Sequence, residues 1–320
     1  MPSRASVLVR PVFLFVDRIV DLVPGKRAVG LSHVSQSEAF LAPGDPWSPD
    51  PDVLSVPPCI LGEAAGQLAA WAVMAGNDFT RRPLGALIGR VEIVGQARRN
   101  DPVVLEVRLD DGDGESVVYH GVARVGASDV FRFENAFSPL LPVEDFDEPD
   151  ALEQRFRRLH QPADVNDPSF VPAAGSPISS SERDSLESYR SAKPIHYGFD
   201  RVLDHDPGRR IVAERRFERV EPFFADHFTR RPVVPMTVLM ECLLRLARRL
   251  LDEGSDGRVQ GHRITVRHAK INRFILPDDS VIATVRLLEH DDRGARFHLR
   301  CEVDGRRVCQ ARVELVALER

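Results

Sequence analysis

Residues 223–235 read FFADHFTRRPVVP, and a strongly apolar segment follows them to about Leu251. His227 lies in this proline-bracketed loop. Pro235 is expected to mark the end of the loop, because proline fixes φ and is tolerated in the first helical turn. Glu241 falls inside the following segment, where a carboxylate is costly to bury. Apolar residues recur there at three- and four-residue spacing, which predicts a largely buried helix. They are Val238, Leu239, Cys242, Leu243, Leu246 and Leu250.

The segment that precedes this loop, and the helix that follows it, each have a matching copy in the first part of the chain. Residues 15–27 (FVDRIVDLVPGKR) match residues 198–210 (GFDRVLDHDPGRR). In each copy a β-rich segment with Asp-Arg leads to a Pro-Gly turn and then to a second β-rich segment, which predicts a hairpin. The predicted helices that follow also align, and this alignment pairs Glu63 with Glu241. A period this long indicates a duplicated domain and not a solenoid.

Alternating β patterns follow each predicted helix. They cover residues 84–94, 103–109 and 117–132 in the first half, and 264–275, 281–289, 296–303 and 308–318 in the second. Each half is therefore a hairpin, a buried helix and a run of antiparallel strands, which is an α+β arrangement. The predicted domains are residues 1–143 and 194–320. Residues 144–193 are expected to be a surface linker, with short helices at Asp150–His160 and from about Ser181.

The composition is typical of a globular protein with two domains: 320 residues, of which 43% are hydrophobic and 28% charged. The formal charge of −5 gives no reason to expect a nucleic-acid partner. No apolar run is long enough to span a membrane, and the N-terminus lacks a secretion cleavage site. The four cysteines have no metal-ligand spacing, so we expect reduced thiols in a cytoplasmic protein.

The loop and its helix resemble the active-site loop and central helix of the 3-hydroxyacyl-[acyl carrier protein] dehydratases of fatty-acid synthesis. The resemblance implies a hotdog fold, in which an antiparallel sheet wraps around a central helix. Two copies in one chain then imply a double hotdog. The resemblance rests on His227-Phe228, Pro232, Pro235 and an acid fourteen positions after the histidine, Glu241.

The resemblance also implies where a site lies, because in this family the histidine comes from one hotdog and the acid from the other. The first copy has no histidine to match His227. The aligned position is Gly44 when counted from the hairpin and Pro49 when counted from the helix. We therefore predict one complete catalytic pair, His227 with Glu63, and a structural role for Glu241.

The chemistry of dehydration suits this pair. Removing the C2 proton needs a base that is neutral near pH 7, as histidine mostly is. Expelling hydroxide from C3 needs a proton donor, the role expected of Glu63 among apolar neighbours. No cofactor is required. Met236 and Cys59 are alternatives for the backbone amide that binds the thioester carbonyl. The residues expected to bind substrate are Cys59, Met236, Phe223 and Gln67, of which Cys59 and Gln67 resemble one branch of the family.

We therefore predict a hydro-lyase of fatty-acid or polyketide biosynthesis. It would convert a 3-hydroxyacyl thioester to a 2-enoyl thioester. An acyl carrier protein would carry the substrate on phosphopantetheine, and Arg230-Arg231 beside the loop are either solvated surface or part of its docking site. The chain is expected to act as a monomeric pseudo-dimer or as a homodimer, without nucleic acid or membrane. The alternatives are a non-catalytic module that binds acyl chains or carrier protein, and a hotdog hydratase or thioesterase acting on acyl-CoA.

Overall fold

The computed structural model describes residues 13–33, 56–98, 101–110, 112–164, 195–254 and 262–317. The strands in these ranges are β1 (Arg18–Val23), β2 (Arg27–His33), β3 (Arg81–Pro83), β4 (Leu87–Ile93), β5 (Pro102–Leu109), β6 (Ser116–Val125), β7 (Ser128–Pro142), β8 (Arg201–Asp206), β9 (Arg210–Arg216), β10 (His262–Ile271), β11 (Ser280–Asp291), β12 (Gly294–Val303) and β13 (Arg306–Ala317). The α-helices are α1 (Pro58–Ala75), α2 (Pro149–Leu159) and α3 (Met236–Gly254). Gly44, Pro49 and the helix expected near Ser181 lie outside the described residues.

One antiparallel sheet runs through both halves of the chain. Its strand order is β1-β2-β5-β6-β7-β4-β10-β13-β12-β11-β9-β8, and β3 pairs with β7 at the side. Read from its two ends, the sheet shows the same order twice, so that β8, β9, β11, β12, β13 and β10 take the places of β1, β2, β5, β6, β7 and β4. This symmetry is what a duplicated domain predicts.

The two halves meet at a seam where β4 pairs with β10. The register runs from Ile93 opposite Ile264 to Leu87 opposite Lys270. Helix α1 packs on β2 and β5, α3 packs on β9, β11 and β12, and the two helices contact each other. The fold is therefore a double hotdog, as predicted, with one central helix in each half and the two helices in contact with each other.

The central helices are buried on most of their surface. Helix α1 begins at Pro58, where the missing N–H costs no helical hydrogen bond. Gly62 lets this helix approach the sheet closely, since a Cβ there would lie 2.7 Å from the ring of Phe131. Helix α3 begins directly after Pro235, as expected, and continues to Gly254, one turn beyond the predicted end.

Three strand predictions were wrong in their boundaries, and one of them, the strand expected over residues 264–275, already ends at Ile271. The segment expected as one strand over residues 117–132 is two strands, because Gly126 adopts a φ of 58° and turns the chain between β6 and β7. The strand expected over residues 84–94 starts at Leu87, and Pro83, which has no N–H to donate, ends the separate strand β3. The Pro-Gly turns match expectation, since Gly25 and Gly208 both have a φ of 70°.

The connection between the halves begins with α2, which matches the short helix predicted there. Its Phe156 ring lies 6.2 Å from that of Trp71 and 5.2 Å from that of Phe79, so α2 covers the end of α1. The amides of Gln161 and Ala163 then donate hydrogen bonds to carbonyl groups of β1. This part of the connection is thus packed into the first half.

Within the described ranges, no helix combines the length and apolar character needed to cross a membrane. The four cysteines are buried and form no disulfide. Nor do three or more histidine, cysteine or acidic side chains come together as a metal site in this part of the chain.

Candidate active site

His227 and Glu63 face one cavity of about 270 Å³ beside the seam. The imidazole Nε2 of His227 lies 3.9 Å from Oε1 of Glu63. Their side chains are only 16% and 13% exposed. The structure thus brings together the two residues that the duplication assigns to one site, one from each half.

His227 is oriented by its own loop. Its Nδ1 lies 3.2 Å from the carbonyl oxygen of Val233, which can only accept, so Nδ1 carries the proton and Nε2 presents a lone pair toward Glu63. The rings of Phe13 and Phe228 lie 5.4 Å and 4.4 Å from the imidazole. Burial lowers the pKa of His227, and the carboxylate of Glu63 opposes that effect. The imidazole is therefore held as a neutral base.

The carboxyl group of Glu63 is fixed by two hydrogen bonds. Nε2 of Gln67 donates to Oε1 and the hydroxyl of Thr237 donates to Oε2, each at 2.9 Å. The surroundings of Glu63 are thus more polar than its sequence neighbours suggested. Gln67, which was expected to bind substrate, also bonds the carbonyl of Phe13 and the amide of Phe15. Gln67 therefore holds the carboxyl group of Glu63 in position.

The N-terminus of α3 lies at the cavity wall. Met236 and Thr237 both line the cavity, and the first helical hydrogen bond of α3 starts at the amide of Leu239. The preceding amides have no intrahelical acceptor, as at any helix N-terminus. Cys59, the alternative amide donor, lines an adjoining apolar cavity of about 90 Å³ and is not among the residues around the larger cavity. The geometry favours Met236.

Phe223 supports the loop from below. It is fully buried, and its ring packs against those of Phe13, Phe217 and Phe224 at centroid distances of 6.1, 6.3 and 4.6 Å. It is not among the residues that line the cavity. The substrate contact predicted for Phe223 is therefore not found, because the bend of the loop directs this ring into the core.

Arg82, on β3 of the first half, holds the histidine loop of the second half. Its guanidinium bonds Asp147 and lies 3.8 Å above the ring of Phe228. Asp147 in turn accepts from the amide and the hydroxyl of Thr229, at 3.1 and 2.8 Å. Burial lowers the pKa of Arg82, and Asp147 opposes this. The positive charge of Arg82 adds to the effect of burial in lowering the pKa of His227.

Thr237, Arg82 and Asp147 were missed by the sequence reasoning. A threonine in the first turn of the helix, next to the histidine loop, was a usable signal for Thr237. Arg82 and Asp147 gave none, because they are far apart in the chain and no motif contains them.

Comparison with known proteins identifies related dehydratases. A family model described as ApeI-like dehydratase matches residues 204–312. The 3-hydroxyacyl-[acyl-carrier-protein] dehydratase FabZ of Oleidesulfovibrio alaskensis is 31% identical over 40% of this chain and 86% of its own length. FabZ of Caldanaerobacter subterraneus is 36% identical over 36% of this chain and 78% of its own.

The chain belongs to the 3-hydroxyacyl-[acyl-carrier-protein] dehydratase family. Among solved structures, the tesB protein of Mycobacterium avium subsp. paratuberculosis superimposes with a TM-score of 0.50 at 15% identity, over 94% of this chain and 96% of that protein. This likeness concerns the fold. Because each FabZ relative corresponds to less than half of the chain, this family member is about twice the size of those relatives.

The second central helix of this family member carries a different arrangement. Glu241 is fully buried and accepts a hydrogen bond from Nε of Arg245 at 2.8 Å. Arg245 stands where α1 has Gln67, so a neutral amide is replaced by a cation. Cys59 lies beside this pair, and burial together with Glu241 raises the pKa of its thiol. Glu241 is thus engaged in an ion pair, in keeping with the structural role expected of it.

The two arginines that follow His227 within its loop, Arg230 and Arg231, both contact other side chains. Arg230 forms an ion pair with Glu148 at the start of α2. Arg231 lies over the rings of Phe146 and Phe274, at 5.7 and 5.1 Å. Arg230 therefore tethers the loop to the connection, which leaves Arg231 as the better candidate of the two for docking.

Proposed function

We propose that this dehydratase converts a 3-hydroxyacyl thioester to a 2-enoyl thioester at a single site, with His227 as base and Glu63 as acid. The observation that carries the proposal is the 3.9 Å approach of Nε2 and Oε1 from opposite halves, in one cavity. The family relatives, which are named for this reaction on acyl carrier protein, support the same substrate class.

Nε2 of His227 removes the proton from C2. Val233 holds the other ring nitrogen protonated, so the lone pair of Nε2 points into the cavity. Burial lowers the pKa of His227, so this base stays neutral down to a lower pH than an exposed histidine does. A positioned base of this kind contributes roughly 10²–10⁴-fold to rate.

Glu63 supplies the proton with which the C3 hydroxyl leaves as water. Elimination breaks the C2–H and C3–O bonds and forms the C2–C3 double bond, so the reaction needs no oxidant. It leaves a protonated His227 and an ionised Glu63. A proton then passes between these two groups, and the site is reset. Thr237 and Gln67 keep the carboxyl group in line with C3 throughout.

Charge that develops on the thioester oxygen is stabilised by the N-terminus of α3. Met236 and Thr237 line the cavity at this N-terminus, where the helix carries partial positive charge. The acyl chain extends into the adjoining apolar cavity, whose walls include Phe131, Phe133 and Met240. This placement leaves C2 and C3 between His227 and Glu63.

The test is dehydration of a short 3-hydroxyacyl group on an acyl carrier protein, with the enoyl product measured by mass. His227→Ala and Glu63→Gln should each lower kcat by about 10²-fold or more. Glu241→Gln is the matched control, because it changes the corresponding acid of the other helix. The Glu241→Gln variant should retain activity as long as it folds, and its folding is checked by circular dichroism.

Equal activity of the wild type and the His227 and Glu63 variants would contradict the assigned site. An inactive wild type with both carrier-bound and coenzyme A-bound substrate would contradict the reaction, and would favour a binding module. Release of free carrier thiol without enoyl product would indicate a thioesterase.

A further inference from the structure

A row of basic side chains crosses the outer face of the second half of the sheet. Arg286 on β11 lies directly opposite His298 on β12, which lies opposite Arg312 on β13, which lies opposite Arg267 on β10. Directly paired residues share one face of a sheet, and strands are about 4.8 Å apart, so this cationic row is about 14 Å long. Arg210 and Arg90 continue it at its two ends.

The central arginines of the row have no acidic partner among the described residues. In the described part of the chain, Arg267, Arg286 and Arg312 form neither an ion pair nor a side-chain hydrogen bond, whereas the end residues pair with Asp204 and Glu92. Burial, followed by the charges of Arg312 and Arg286, lowers the pKa of His298. Like charges that face each other across strands destabilise a sheet. The row therefore carries an unfavourable charge arrangement.

The neighbouring row on the same face shows that this arrangement is local. There Glu289 lies opposite Arg296, which lies opposite Glu314, and Glu289 and Arg296 form an ion pair. Acidic and basic residues alternate as expected of a solvated sheet surface. The whole chain carries a net charge of −5, so general basicity does not account for the cationic row.

The cationic row faces away from the catalytic cavity. The side chains next to it along each strand, such as Val285, Phe297 and Val313, are buried against the core, on the side where α3 packs on β11 and β12. Met236 and Thr237 of α3 line the cavity on that side. A partner on the outer face would leave the cavity open.

We propose that the cationic row is a docking surface for an acidic α-helix of a partner protein. A helix lying across the strands repeats its side chains every three or four residues, that is about every 4.5–6 Å, which brackets the spacing between strands. One carboxylate per turn then meets one basic side chain of the row. The row presents one basic side chain per strand along a line, which fits one helix, whereas a membrane surface would favour a broad cationic area.

The probe is a labelled helical peptide with glutamate at every turn on one face, compared with the same peptide carrying glutamine. Fluorescence anisotropy should detect binding of the glutamate peptide to the full chain at low salt, with weakening as salt rises. Arg286→Glu combined with Arg312→Glu should reduce affinity about tenfold or more, equivalent to about 1.4 kcal/mol. The matched control, Arg108→Glu, reverses an exposed arginine of the first half and should leave affinity nearly unchanged.

Dehydration by the doubly reversed variant should equal that of the wild type, since the row is outside the cavity. Binding that is equal for both peptides, or equal for the reversed variant and the control, would overturn the proposal. Tighter binding to duplex DNA or to anionic phosphatidylglycerol vesicles than to the peptide would overturn it as well, in favour of those partners.

Discussion

Arg82 and Asp147 should shift the pKa of His227 in opposite directions: Arg82 lowers it and Asp147 raises it. The guanidinium carbon is 3.8 Å from the ring centre of Phe228, which is 4.4 Å from the imidazole centre, so the cation lies within about 8 Å of His227. A unit charge at about 8 Å and an effective dielectric constant of about 20 contributes about 2 kcal/mol. That amount disfavours the protonated imidazole of His227.

Arg82→Met removes this cation and leaves the carboxylate of Asp147 uncovered. Both changes raise the pKa of His227, so activity is lost at a higher pH as the solution is acidified. Asp147→Asn leaves the cation alone and lowers the same pKa. Arg82→Lys keeps the charge and should keep the pH profile close to wild type, while a lower kcat reports the lost stacking on Phe228.

The assay is kcat/KM for dehydration as a function of pH, which reports the ionisation of groups in the free enzyme. Because removing one member of a buried ion pair costs about 3–5 kcal/mol, each variant is first tested for folding by denaturant titration. The electrostatic reasoning would be refuted if the acid-side midpoint of kcat/KM shifted in the same direction in Arg82→Met and Asp147→Asn. It would also be refuted if the midpoint shifted in neither variant. The pair would then act only as a mechanical support for the loop.

Three further outcomes follow from the same contacts. In the wild type, the acid-side midpoint of kcat/KM should lie below about 6.5, the ordinary histidine pKa, because burial lowers the pKa of His227; a midpoint above that value would contradict it. Gly66→Leu should lower kcat/KM for long acyl chains more than for short ones, since Gly66 lines both cavities and has open space beyond its Cα, whereas Gly62→Ala should chiefly lower stability by meeting Phe131. Arg245→Gln should lower the free energy of unfolding by about 3 kcal/mol, measured in urea, because the buried Glu241 loses its counter-ion.

The sequence predicted the features that depend on local pattern and on the repeat. The apolar spacing after Pro235 and the matching segment at Pro58 located both central helices, and the two Pro-Gly turns located the hairpins. The pairing of His227 with Glu63 followed from the family resemblance, which implies that histidine and acid come from different hotdogs, applied to a chain whose first copy has no matching histidine. These features are encoded by neighbouring residues or by the family pattern, so one sequence was enough to find them.

The remaining features depend on contacts between distant segments. Arg82 and Asp147 become partners only after β3 and the start of the connection pack beside the histidine loop. Phe13 closes over the imidazole because its backbone bonds Gln67 and Asp226. The aromatic pattern around Phe223 does not distinguish a ring in the core from one at the cavity. Such roles are decided by tertiary packing.

The seam between β4 and β10 joins two parts of one polypeptide. The effective concentration of one half for the other is therefore set by the connection between them and not by how much protein is present. The two subunits of a homodimer have the same sequence, so a substitution that improves one site also changes the other site. Tethering removes that constraint, which is how Gln67 in one helix and Arg245 in the other can persist side by side. Activity of this protein should accordingly be insensitive to dilution.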